Sequence, residues 1–358
     1  MRVCILGSGL TALTLAKALV NQNIFVDLIS SNKNHKINHS RTIGISKSNF
    51  NYFNRNIINI EKISWKLKKI EIFTDKNKNE KILNFENSDE QLFSIIKNYQ
   101  LFEVLNKNLL KNKYFKKIKS EKKSIKPEKY NLIVNTEYNN IFTKKYFSKK
   151  IEKVYNSSAH TTVINHETIS NQIAVQIFTK IGPLAFLPLS KNKTSIVYSI
   201  YNSKDIDRKK IIHLINQNNN KYKIKKIEKI ENFELKSFNL RSYYHSNILA
   251  FGDLLHKIHP LAGQGFNMTI RDTKILLEII KKNLDLGLPI DANINIQFEK
   301  KIKHMNYIFS NGIDLVHEFF NFERKSKNNF LSKTVKLLGK STSLNKIFTR
   351  IADKGLSL

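Results

Sequence analysis

The chain has 358 residues, 41% hydrophobic and 10% aromatic, with 61 basic against 29 acidic side chains and a formal net charge of +32. That composition supplies a large core and excludes an intrinsically disordered chain, a fibrous repeat and a disulfide-stapled secreted module. One cysteine, Cys4, leaves no partner for an internal bridge, and the length points to two domains or one large α/β domain with an insertion.

In chain order, a short apolar strand at Arg2–Leu6, a helix over 10–21 and a strand over 24–29 make a β-α-β start. Residues 65–73 alternate in polarity (Trp65, Leu67, Ile70, Ile72) and read as one strand, with 81–85 as its partner after a polar turn. Residues 90–109 read as a helix, 111–129 as a lysine-dense exposed loop or shortened hairpin, and 130–134 as a buried strand. The character then turns to β, with strands expected at 162–165, 173–179, 184–188 and 195–201. Residues 205–217 read as a helix, 221–230 are ambiguous, 248–251 are a buried strand and 266–284 a long helix. The tail from Asn306 is helical with a polar break near 325–329. A β-rich middle inside an α/β frame predicts an inserted substrate domain.

The charge does not point to nucleic acid. Only eight basic residues are Arg; the rest are Lys, accompanied by abundant Asn, Ile, Phe and Tyr, the set that A/T-rich codons favour. The guanidinium fork that reads bases and phosphates is therefore scarce. A lysine surface is still drawn to anionic lipid headgroups. Gly7, Gly9 and Lys17 interrupt the first apolar run, against a secretion signal, and no stretch reaches the roughly 18 apolar residues of a spanning helix. The expectation is a cytoplasmic protein, peripheral at the inner face of the membrane at most.

Two motifs carry chemistry. Gly7-Ser8-Gly9-Leu10-Thr11-Ala12 is a G-x-G-x-x-A turn between a strand and a helix. Gly7 permits the tight turn, Gly9 lets backbone N–H groups approach a pyrophosphate, and Ala12 keeps helix and sheet close. An acidic residue is expected at the end of the second strand to accept from ribose hydroxyls; Ser30 and Ser31 stand there instead, so adenosine binding should be weaker than usual. The second motif runs from Gly252-Asp253 through His259-Pro260-Leu261-Ala262-Gly263-Gln264-Gly265-Phe266-Asn267, after a buried strand and into a long helix. Such a loop offers N–H groups and a helix dipole to an anion, and Asp253 can accept from a ligand hydroxyl.

This second segment closely resembles the GD-x(5)-HP-x-AGQG-x-N motif of the FAD-dependent aromatic hydroxylases of the p-hydroxybenzoate hydroxylase fold (class A flavoprotein monooxygenases), and in particular the ubiquinone-biosynthesis hydroxylases. Arg41-Thr42-Ile43-Gly44-Ile45 is similar to the family's R-x-I-x-L segment, and Gly182-Pro183-Leu184-Ala185-Phe186-Leu187-Pro188 to its G-P-L-A-x-L-P segment. Ile95-Ile96-Lys97-Asn98 and Asp314-Leu315-Val316-His317 match two further helix segments. The resemblance implies an α/β fold: a Rossmann-like, glutathione-reductase-type FAD domain (residues 1–64, 90–160 and 245–320) interleaved with a β-sheet substrate domain (65–89 and 161–244), and a C-terminal helical segment (321–358). It also implies that Gly7, Gly9, Leu10, Thr11 and Ala12 hold the FAD pyrophosphate, with Ser30 near the ribose and Arg41 and Asn98 lining the cofactor. Gly252 and Asp253 would meet the ribityl chain, and Pro260, Ala262, Gly263, Gln264, Gly265, Phe266 and Asn267 would surround the isoalloxazine.

The implied activity is ring hydroxylation of a polyprenylated phenol or quinone precursor in ubiquinone synthesis. NAD(P)H would reduce the flavin, and O2 would form the C4a-hydroperoxide that delivers the hydroxyl. Other enzymes of that synthesis are the implied partners. One departure stands out: where the family has Asp-Gly after the strand at 130–134, this chain has Glu137-Tyr138. That replacement, with Ser30, motivates the alternative of an FAD-binding accessory or scaffold subunit with weak redox turnover. A flavin reductase of isoprenoid double bonds is a third reading. His256 and His259 have no convincing third ligand, so no metal is expected. No Ser lies in a G-x-S-x-G turn. Trp65, Tyr243 and Tyr244 are expected in the core, and the amphipathic 330–358 (Ile347, Phe348, Ile351) could dock a partner, a membrane surface or the main body.

Overall fold

Arg2–Leu6 is apolar after its first residue and buried on both faces, as a central parallel strand must be. The computed structural model describes residues 1–30, 39–75, 81–86, 91–119, 126–201, 206–258 and 263–325, with Arg350, Asp353 and Gly355. It places this strand in a six-stranded sheet. The spatial order is Tyr244–His245, Ile248–Ala250, Leu132–Asn135, Arg2–Leu6, Phe25–Ser30, Phe115–Lys119, parallel throughout except for the first pair. Helix α1 (Leu10–Val20) crosses between the first two strands and is buried from Ala12 onward. Even Lys17 is covered, its ammonium donating to Asn21 Oδ1 at 2.5 Å.

Thr42–Ser46, Phe93–Lys97 and Ser64–Leu67 form a small antiparallel sheet, joined to helices α2 (Lys47–Asn56) and α3 (Asn98–Leu110). A third sheet has nine strands. Its path is His256–Lys257, Glu231–Leu240, Lys150–His166, Lys193–Tyr201, Gly182–Ser190, Ile173–Thr179, Lys69–Thr74, Leu83–Glu86, with Ile224–Ile227 pairing on Lys150–His166. Short helix α4 (Ile141–Tyr146) precedes the strand Lys150–His166, and α5 (Arg208–Gln217) covers one face of the sheet, packing Ile211 and Ile215 against Ile196, Tyr198 and Ile200. The alternate residues Val197 and Ser199 point to the other face, where the cavity lies. Helices α6 (Gln264–Asp285) and α7 (Ala292–Lys325) complete the frame, and the largest apolar cluster joins α1, α6, α7 and the six-stranded sheet.

Several expectations are corrected. The alternating run 65–73 is not one strand: it divides at Lys68, Ser64–Leu67 joining the small sheet and Lys69–Thr74 the large one. Alternation fixes which way side chains point and says nothing about which backbone they pair with. The helix expected from residue 90 starts at Asn98, because Phe93–Lys97, with Ile95 and Ile96, is paired on both sides. Within the lysine-dense 111–129, Phe115–Lys119 is a parallel edge strand, with Lys116 and Lys117 exposed while Phe115 and Ile118 pack on the core. Lysine is a common guard of a sheet edge. The strand expected at 162–165 spans Lys150–His166, with a register shift between Val154 and Ser158 at Asn156, φ 48°. It runs across the expected boundary at 160/161. Glu231–Leu240 is a ten-residue strand with no counterpart in the sequence reading, and the last long helix begins at Ala292, not Asn306. Most of 330–358, including Ile347, Phe348 and Ile351, lies outside the described residues.

Candidate active site

Gly7 ends the first strand at φ +128°, where an added Cβ would sit 2.1 Å from Thr136 Oγ1. Thr136 is itself held, donating to the Leu6 carbonyl at 2.8 Å, while the Gly7 N–H donates to the Ile29 carbonyl at 2.9 Å. Gly9 caps α1 in an extended conformation with no side-chain cap and no acid in the first turn. The N–H groups of that turn have no intrahelical partner and carry the positive end of the helix dipole. Ala12 is fully buried and packs helix against sheet, away from the cavity. Ser30 also stands off the cavity lining, its Oγ 3.0 Å from that of Ser8. Ser31 lies outside the described residues.

The second motif packs on the first. Gly252 has φ +66°, and a Cβ there would lie 2.3 Å from Thr11 Cγ2, so the turn carrying Asp253 rests directly on the first turn of α1. Asp253 lines the cavity. Gly263 caps α6 in the left-handed region at φ 62°, 3.4 Å from the Gly44 nitrogen for an added Cβ. Asn267, fully buried, fastens that approach: its amide donates to the carbonyls of Gly44 (2.9 Å) and Gly263 (3.2 Å), and its Oδ1 accepts from the Ser46 N–H and Asn49 Nδ2, both at 3.0 Å. Its role in this geometry is to hold backbone, and it does not line the cavity. Gln264 is likewise buried off the lining, whereas Gly265 and Phe266 line it. Pro260 and Ala262 lie outside the described residues. His256 is committed to a buried pair with Asp272, 2.6 Å away, whose other oxygen accepts from Asn306; His259 is outside the described residues.

Both motifs open into one cavity of about 680 Å³ between the six-stranded and the nine-stranded sheets. On the side of the six-stranded sheet lie Gly7, Gly9, Leu10, Thr11 and Asp253; Gly263, Gly265 and Phe266 lie at the α6 start. Arg41 and Asn98 stand between the halves. The Arg41 guanidinium sits 4.5 Å over the Phe233 ring, and its carbonyl accepts from the Asn98 N–H at 3.0 Å. The far wall is mostly apolar, with Leu67, Ile70, Ala174, Pro183, Leu187 and Leu235, and Gln176 and Ser199 as polar points. Sequence reasoning missed Phe233 and Leu235 because their strand, with a charge at Glu231, Glu234 and Lys236, has no clean alternation. Thr136, pressed over Gly7, carries no sequence signal at all.

The size falls within the roughly 300–1,000 Å³ of cofactor and small-molecule sites. Two features fit a dinucleotide. Beyond chain neighbours nothing lies within 4 Å of a Cβ built on Gly9, so the turn is open to the cavity. Asn98 Oδ1, although buried, has no hydrogen-bond partner among the described residues.

Residues 149–285 match the family model described as an FAD binding domain. The chain is 29% identical over 159 residues to 3-demethoxyubiquinol 3-hydroxylase of Escherichia coli (strain K12), covering 40% of this chain and 39% of that protein. It is 24% identical over 208 residues to the ubiquinone biosynthesis monooxygenase COQ6 of Danio rerio, covering 46% of this chain and 43% of that protein. The chain thus spans less than half the length of these curated relatives. Among solved structures, p-nitrophenol 4-monooxygenase PnpA from Pseudomonas putida DLL-E4 superimposes with a TM-score of 0.79 at 12% identity, covering 99% of this chain and 98% of that one. PqsL from Pseudomonas aeruginosa gives 0.72 at 12% identity over 94% and 99%. These superpositions show that the fold is the p-hydroxybenzoate hydroxylase-like one across nearly the whole chain.

Proposed function

We propose that this chain, a member of the FAD-dependent monooxygenase family, hydroxylates the ring of an apolar, prenylated phenol or quinone precursor of the kind used in ubiquinone synthesis. The observation that carries the reading is the single cavity shared by the Gly7–Thr11 turn, the Asp253 turn and an apolar sheet wall. FAD, once bound, would supply the two-electron chemistry and the activation of O2, with NAD(P)H as reductant. The chain's own residues bind and orient. The first turn of α1 would hold the pyrophosphate with backbone N–H groups, and Asp253 would accept from ribityl hydroxyls. The Gly263–Gly265 start of α6 would lay partial positive charge along the ring edge, and Asn98 would give its unpaired carbonyl oxygen to the cofactor. Leu67, Ile70, Leu187 and Leu235 would seat an apolar ring and keep water from it.

An apolar substrate and a charge of +32 suit work at an anionic membrane surface on the cytoplasmic side, beside other enzymes of the same synthesis. Among the described residues no helix is long and apolar enough to cross a membrane.

The test is the visible spectrum of the FAD-loaded protein before and after NAD(P)H and a prenylated phenol, first without oxygen and then in air. Bleaching that recovers in air, with a product one oxygen atom heavier by mass spectrometry, is the expected result. A flavin that stays oxidised favours the accessory-subunit reading, which Tyr138, bonded to the Asp253 carbonyl where the family has Gly, also suits. Steady consumption of NAD(P)H without oxygen favours a reductase.

A further inference from the structure

Tyr138 stands where three elements meet. It follows the strand Leu132–Asn135, its hydroxyl donates to the Asp253 carbonyl in the neighbouring turn, and its ring meets Phe238 of the large sheet edge-on, centroids 5.6 Å apart. Tyr138 lines the cavity and is 40% exposed. Its root is rigid. Asn135 Oδ1 accepts from the Glu137 N–H at 3.1 Å, and Thr143 donates to the Glu137 carbonyl at 2.6 Å while accepting from Asn135 Nδ2 at 2.7 Å. The turn it reaches, Gly252–Leu254, is a single 3-10 turn with no side-chain cap, closed by a bond from the Leu255 N–H to the Gly252 carbonyl at 2.9 Å and flanked by bonds from the Phe251 N–H to the Asn135 carbonyl (2.9 Å) and from the Leu240 N–H to the Leu255 carbonyl (3.0 Å).

We propose that Tyr138 is a latch across the cavity mouth, a positioning residue that fixes the Asp253 turn and slows exchange of the dinucleotide between cavity and solvent. The inference rests on the FAD reading above for its ligand, but its mechanics belong to the chain alone. The hydroxyl stays a donor over the whole physiological range, since burial first and the Asp253 charge second push its pKa up. The ring leans edge-on against Phe238, and a glycine at this position would remove both that contact and the donor to the Asp253 carbonyl.

Tyr138→Phe and Tyr138→Gly separate the hydroxyl from the ring. FAD uptake is followed by quenching of flavin fluorescence, release by its recovery on dilution, and local stability by amide hydrogen exchange of the FAD-free protein. Tyr138→Phe should release FAD about 2- to 12-fold faster, the loss of one hydrogen bond, with uptake unchanged. Tyr138→Gly should speed uptake and release together, by about tenfold or more for release. In both, residues 251–255 should lose protection while the rest of the chain exchanges as before. Wild-type rates of uptake and release in both variants would overturn the latch. So would protection lost evenly over the whole chain, because that makes Tyr138 general support. If the wild-type protein takes up no FAD, the functional reading fails, and exchange at 251–255 alone then decides whether Tyr138 holds the turn.

Discussion

The wall of the cavity that begins at Gly7 presents backbone, whereas the wall that ends at Leu235 presents side chains. At the first wall and just behind it the chain comes so close to itself that Cβ atoms have no room, at Gly7 against Thr136 and at Gly252 against Thr11. On the proposed reading its chemistry would be carried by N–H groups whose direction is set by φ and ψ, so identity would matter at single positions. On the same reading the second wall would only have to stay apolar and flat enough for a ring, a requirement that many combinations of Leu, Ile, Ala and Pro satisfy. A site built in this way could change what it accepts without changing how it would hold the proposed cofactor.

Substitutions can break that contrast, and the largest effect should come from Asn267, where four hydrogen bonds, three of them buried, tie the two glycine turns together. Asn267→Ala should cost about 3–4 kcal/mol in urea denaturation and abolish FAD retention, because it strands buried backbone groups. Gly7→Ala comes next, at about 2–3 kcal/mol from strain and the Thr136 contact. On the side-chain wall, Leu235→Ala should cost about 2 kcal/mol, at the low end for a buried leucine because the cavity already adjoins it. FAD affinity should stay near wild type there while apolar phenols bind less tightly; an equal loss of both would dissolve the distinction between the walls. Gly9→Ala is the sharpest comparison. Stability should stay within about 0.5 kcal/mol, since nothing opposes the new methyl and φ −77° suits alanine, yet FAD should bind about tenfold more weakly because the methyl fills the cradle. The smallest signal is chemical. Cys4 lies fully buried in the central strand, and burial, then the nearby Asp27 charge, push its thiol up from 9.0 to about 12. An aromatic disulfide reagent should leave it untouched in the native state. An acid whose folded pKa is raised helps stability fully below pH 9 and loses that help between pH 9 and 12, so alkaline unfolding should expose Cys4 in that window.

What the sequence reveals of this molecule follows the same division. Gly7, Gly9, Asp253, Gly263 and Gly265 can be read because a backbone site needs particular residues at particular spacings, and they do converge on the cavity. Ala12, Ser30, Gly252, Gln264 and Asn267 belong to the same motifs but stand behind the lining, as packing or fastening. A motif does not distinguish the residue that touches from the residue that supports. The large sheet is harder to read. Lys150–His166 bends at Asn156 and so loses a single period; Glu231–Leu240 carries charges that mask its alternation; Phe115–Lys119 hides among lysines that the whole chain uses freely. Tyr138 reads as an odd replacement in the sequence and acquires a role only when the Asp253 carbonyl is seen beside it.

The seating of Gly252 on Thr11 also bears on how the protein is made. The first β-α-β unit leaves the ribosome early, yet the partner strand Leu132–Asn135 and the turn that covers α1 come much later in the chain. Until then one edge of Arg2–Leu6 is unpaired and sticky, the kind of surface that invites chaperones or wrong pairing. Cofactor cannot rescue such an intermediate, because the pocket that would grip it does not exist before residue 267 has been joined to the growing chain. Abundant FAD in the cell should therefore raise the lifetime of finished molecules and leave the yield of nascent ones unchanged.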